Sequence, residues 1–76
     1  MTETNFQNSL QAFVRRHPFK PFTIELVSGD RIIVEHPEAL AMRGAVAVYI
    51  NTDGRYSLFD ANGVSQLTDK LDRASA

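Results

Sequence analysis

The apolar residues of this chain change period once, at Pro18-Phe19-Lys20-Pro21, and that change limits what the chain can fold into. Upstream, Phe6, Leu10, Phe13 and Val14 lie at spacings that form one stripe of an amphipathic helix. Thr4 with Gln7 three residues later reads as a capping box, and Pro18 ends the helix because the residue before a proline avoids the α region. The spacing predicts a helix over about residues 4–16. Between the two prolines the chain is expected to be extended, with Phe19 and Phe22 sealing the junction between helix and sheet.

Downstream of Pro21 the period is two. Phe22, Ile24 and Leu26 alternate with Thr23, Glu25 and Val27, and Arg31 to Glu35 follows across Ser28-Gly29-Asp30. A three-residue loop there sets Leu26 opposite Ile32 and Ile24 opposite Val34. His36-Pro37-Glu38 then breaks the ladder, because Pro37 donates no hydrogen bond. Ala39-Leu40-Ala41-Met42 is too short for a helix and reads as a turn punctuated by Arg43-Gly44. Val46, Val48 and Ile50 alternate with Ala47 and Tyr49, and Gly54 suits the left-handed position of a Thr52-Asp53-Gly54 loop. That loop pairs Ile50 with Tyr56 and Val48 with Leu58. A strand from Arg55 to Asp60, a tight turn at Asn62-Gly63 and a last strand from Val64 to Thr68 complete the order. Residues 69–76, with Leu71 the one large apolar side chain, are expected to fray.

One helix followed by five short strands in meander order predicts a mainly β fold and a single domain over residues 1–76. The N-terminal helix precedes a bent, five-stranded antiparallel sheet over about residues 22–68, which can bury its faces by closing into a small barrel with the helix over one open end. An open sheet with the helix across one face is the alternative. With 76 residues, 43% of them hydrophobic and 22% charged, the chain has material for one small core and shows no internal repeat.

Composition excludes several functions. A net charge of −1 gives no global positive field for nucleic acid or anionic lipid. The absence of cysteine removes disulfides, thiolate metal sites and thiol nucleophiles. The longest apolar run, Ala45 to Ile50, is far short of the ~20 residues that span a bilayer, and the polar opening Met1 to Asn5 is unlike a secretory leader. The expectation is a cytoplasmic chain with no membrane partner.

Chemistry has few places to sit. Arg15, Arg16, His17 and Lys20 form the one basic cluster, which complements the dipole at a helix C-terminus or contacts an anion or RNA. His36 and Glu38 supply an imidazole and a carboxylate, but metal ligation takes three or four convergent ligands, and a turn fixed by Pro37 explains the triplet equally. Glu25 and Glu35 fall on a solvated face. The four glycines are isolated, so none cradles a phosphate, and no serine has a neighbouring histidine. No catalytic, metal or cofactor site is expected, and the chain is read as no enzyme. The informative oddity is apolar residues on the outward positions of the expected strands: Val27, Ile33, Tyr49 and Phe59. They mark an oligomer interface, or they join the core if the sheet bends strongly enough to bury both faces.

Two resemblances attach to these residues. The string Arg16-His17-Pro18-Phe19-Lys20-Pro21-Phe22-Thr23-Ile24-Glu25-Leu26, with Gly29 and then Val34-Glu35-His36-Pro37-Glu38, resembles a family of small uncharacterised bacterial proteins that share a Pro-Phe-x-Pro-Phe opening and a His-Pro-Glu turn. It covers about half the chain and implies a fold but no activity. The order of a helix, the run from Phe22 to Arg31 and four further strands is similar to the Sm-like and SH3-like small barrels, whose Sm-like members form rings and bind uridine-rich RNA. Asp60-Ala61-Asn62 stands where that family offers Lys-His or Arg-Gly, the second strand has no glycine, and no Asp-x-x-x-Asn string precedes the third. The resemblance therefore implies the barrel and a ring, not the RNA pocket. The combined expectation is a non-enzymatic, self-associating small-barrel binding or regulatory module. The competing expectation is an RNA-binding oligomer with Arg15, Arg16 and Lys20 as its phosphate-contacting rim.

Overall fold

The computed structural model describes residues 1–69 and sets out one helix and six strands. In chain order these are α1 (Glu3–Val14), β1 (Phe22–Leu26), β2 (Arg31–Val34), β3 (Leu40–Arg43), β4 (Val46–Ile50), β5 (Tyr56–Asp60) and β6 (Val64–Thr68). Single 3-10 turns, Pro37–Ala39 and Ala61–Gly63, precede β3 and β6. The tail expected to fray lies, apart from Asp69, outside the described residues.

The helix forms where its apolar stripe places it, with Phe6 and Leu10 fully buried. Its cap is Thr2, whose hydroxyl oxygen accepts from the Asn5 N–H at 3.2 Å, and not Thr4. The expected capping box fails because Gln7 is engaged elsewhere: its amide donates to the Gly44 carbonyl at 2.8 Å and to Glu3 Oε2 at 3.4 Å. The helix stops at Val14, short of residue 16, and Arg15 is its C-cap, with its N–H on the Gln11 carbonyl. Phe13 and Phe19 then pack against buried Phe22, with ring centroids 4.9 and 6.2 Å away, which seals the helix to the sheet as expected.

Both hairpins use the same loop. In Val27-Ser28-Gly29 and in Thr52-Asp53-Gly54 the third residue is a glycine at positive φ, +98° and +85°. A residue held in the left-handed region fixes where the strands pair. The second hairpin accordingly pairs Ile50 with Tyr56 and Val48 with Leu58, as the spacing predicts. The first hairpin departs from the expected register: Ile24 faces Ile32 and Phe22 faces Val34, because Gly29 closes the loop and does not sit in its middle. The shift is by two residues, so the same side chains still face the core.

The strand count and the closure both need correction. Leu40–Arg43, read as a turn, is a strand paired with β4 through Leu40↔Tyr49 and Arg43↔Val46. The strands form two three-stranded sheets, in orders β2-β1-β6 and β3-β4-β5, and these do not close into a barrel. Both 3-10 turns carry the chain from one sheet to the other. Pro37 starts the first, and Asp60 caps the second by accepting from the Gly63 N–H at 2.9 Å, where a simple Asn62-Gly63 turn was expected. The core lies between helix and sheets: Phe6 and Leu10 meet Phe22, Ile24 and Val34 of one sheet and Ala47, Tyr49 and Phe59 of the other. Among the described residues no helix is long and apolar enough to cross a membrane.

Candidate functional site

The basic cluster is partly taken up by structure. The Arg16 guanidinium pairs with the Asp69 carboxylate, donates to the Lys20 carbonyl at 2.9 Å and sits 4.7 Å from the centre of the Phe13 ring. Arg16 thus packs as much as it charges, and of the cluster only Arg15, His17 and Lys20 project as exposed cations or imidazole. His36 Nδ1 lies 3.6 Å from Glu38 Oε2 on the surface. Among the described residues no third group joins them, and no cluster of three His, Asp or Glu could hold a metal ion.

The outward apolar residues are where the structure departs most from expectation. Tyr49 and Phe59 belong to the core, at 3% and 7% exposure, and not to an outer face. Phe59 meets Phe6 of the helix edge to face at 6.2 Å, and the Tyr49 hydroxyl oxygen accepts from the Glu35 N–H at 3.1 Å. The face assignment of β4 and β5 is therefore inverted, since both faces of these strands are apolar and the aromatic pair is the one the helix covers. Val27 and Ile33 are exposed as expected. Ile33 pairs with Thr23 in the other sheet, while Val27 lines an open groove of about 430 Å³ together with Val46, Leu58 and Asp60.

Inversion leaves a different surface exposed. The register puts Arg43, Val46 and Asp60 in one row across β3-β4-β5, Ala41, Val48 and Leu58 in the next, and Ile50 beside Tyr56 in the third. Directly opposed residues of an antiparallel sheet share a face, so these side chains form one outer surface. Leu58 and Tyr56 are 70% and 72% exposed, and Val46 and Ile50 about half. Beside Ala41 the surface dips into a depression of about 320 Å³ bordered by Arg43, Val46, Val48 and Leu58. Its electrostatics are sparse: Arg43 at one margin, Asp60 at the opposite margin of the same row with nothing charged between them, and Glu38 with His36 beside Ile50 at the far end. A three-stranded face with this many solvent-facing aliphatic and aromatic groups is chemically suited to apolar contact.

No protein-family model, no curated protein and no solved structure matches the chain.

Proposed function

We propose that this chain is a cytoplasmic, non-enzymatic binding module that self-associates through the outer face of β3-β4-β5. The observation that carries the reading is the joint exposure of Val46, Ile50, Tyr56 and Leu58 on one sheet face. Leaving that surface in water forgoes about 25 cal/mol for each Å² that a partner could cover, in a domain whose total stability is only about 4–11 kcal/mol. The interface residues are thus Val46, Val48, Ile50, Tyr56 and Leu58, with Val27 at the rim through the shared groove. An RNA-binding ring is the weaker reading, because Arg16 is held by Asp69 and the Lys20 carbonyl and the chain carries net negative charge.

Sedimentation of the purified chain at micromolar concentration tests the proposal. The wild type should sediment as an oligomer, and Leu58→Asp as a monomer with an unchanged circular dichroism spectrum, since Leu58 supports nothing in the core. A monomeric wild type, or an oligomer indifferent to Leu58→Asp, overturns it.

A further inference from the structure

We infer that two copies of the chain pack these outer faces against each other across a twofold axis parallel to β4. The inference rests on the self-association proposed above and specifies its geometry. A closed dimer requires a self-complementary patch, and symmetry limits how this one can meet itself. With the axis along β4, each residue keeps its row while the partner's β3 lies over β5 and its β5 over β3. With the axis across the strands, each strand lies over its own copy and the rows reverse.

Charge and size both select the first arrangement. Arg43 and Asp60 share a row on opposite edge strands, two strand spacings or ~10 Å apart, and no ion pair joins them within the chain among the described residues. The axis along β4 brings each Arg43 over the other copy's Asp60, twice per dimer. The crossed axis instead sets both charges over the third row, where Arg43 comes near Ala39 and its neighbour Glu38 but Asp60 meets apolar Tyr56, so that only one of the two charges finds a partner. In the next row the depression beside Ala41 receives the other copy's Leu58, a small residue against a large one, again twice. Val46, Val48 and Ile50 meet their own copies along the axis, which suits aligned sheet-on-sheet packing about 10 Å thick. The charged pair lies at the margin, so it sets orientation and specificity more than it adds affinity.

The test is charge reversal in complementary copies, read as dimer dissociation constants by sedimentation. Arg43→Glu alone should weaken its dimer at least about tenfold, because two carboxylates then oppose two carboxylates. Mixing Arg43→Glu with Asp60→Lys should give a heterodimer tighter than either homodimer, since the introduced carboxylate of one copy meets the introduced ammonium of the other, and the retained Asp60 meets the retained Arg43. Asp60 also caps the Gly63 N–H, so if Asp60→Lys fails to fold, the double variant Arg43→Glu with Asp60→Asn decides. Asparagine keeps the cap, and recovery of most of the lost affinity is the expected result. A dimer that is sensitive to Leu58→Asp but indifferent to Arg43→Glu, or that gains nothing from mixing or from the double variant, overturns the geometry while leaving self-association standing. A monomeric wild type overturns both.

Discussion

The Glu35 backbone N–H donates to the Tyr49 hydroxyl oxygen at 3.1 Å, so one phenol ties the end of the first hairpin to the middle strand of the second sheet. Removing that oxygen leaves the ring in the core and the amide without its acceptor. Tyr49→Phe should cost about 1 kcal/mol and lower the melting temperature by roughly 4–8 °C. A melting temperature equal to wild type would mean that water replaces the phenol without loss.

Leu58 and Phe59 are neighbours in sequence with opposite surroundings. Phe59→Ala empties a site packed against Phe6 and should cost about 3–5 kcal/mol. Leu58→Ala should change the stability of the monomer by no more than about 0.5 kcal/mol. Urea titrations at concentrations low enough to hold both variants monomeric give the two values side by side, and the reverse order would invert the face assignment again.

Gly54 holds a positive φ with open space where a Cβ would stand. The cost of Gly54→Ala is therefore purely conformational, about 1 kcal/mol, and Gly54→Asn should cost less, because asparagine tolerates the left-handed region. Gly29→Ala should behave alike, its φ also being positive with nothing near the added carbon. Denaturant midpoints check all three.

Arg15 and Arg16 are adjacent cations with different duties. Arg16→Ala removes a carboxylate pair, a carbonyl bond and the cover on Phe13, and should cost about 1–2 kcal/mol. Arg15→Ala should stay within about 0.5 kcal/mol. Neither the wild type nor either variant should bind a short uridine oligomer with submicromolar affinity at physiological salt, as fluorescence anisotropy would read it, because too few cations remain to gather phosphates.

The helix stripe, five of the six strands and the second hairpin's register were legible because each rests on a local rule. Phe6 and Leu10 recur at helical spacing, and Gly54 fixes its own loop. Gly29 obeys that same rule, and placing it at the third loop position gives the observed register directly. The outer face was not legible from alternation, since Val46, Val48 and Ile50 are as apolar as Ala47 and Tyr49. A signal did exist in the charges. Asp60 falls opposite Val46 once Ile50 is paired with Tyr56, and Arg43 joins that row once Leu40 to Arg43 is read as a strand. Two charges on one face mark it as solvent-facing, and Tyr49 and Phe59 then turn inward while Tyr56 stays out. What closes β2-β1-β6 into a separate sheet is long-range and leaves no local trace.

That closure has a kinetic side. β3, β4 and β5 are consecutive, so their sheet assembles from neighbours alone. The Ser65 hydroxyl, which donates to the Glu25 carbonyl across β6 and β1, lies 40 positions from its acceptor. Pairings that span such a separation form late, because the intervening loop must be closed before they contribute anything. The face that exposes Val46, Ile50, Tyr56 and Leu58 is thus complete while the other sheet still lacks its last strand. Refolding becomes a contest between one chain finishing itself and two chains meeting, decided by how crowded the solution is.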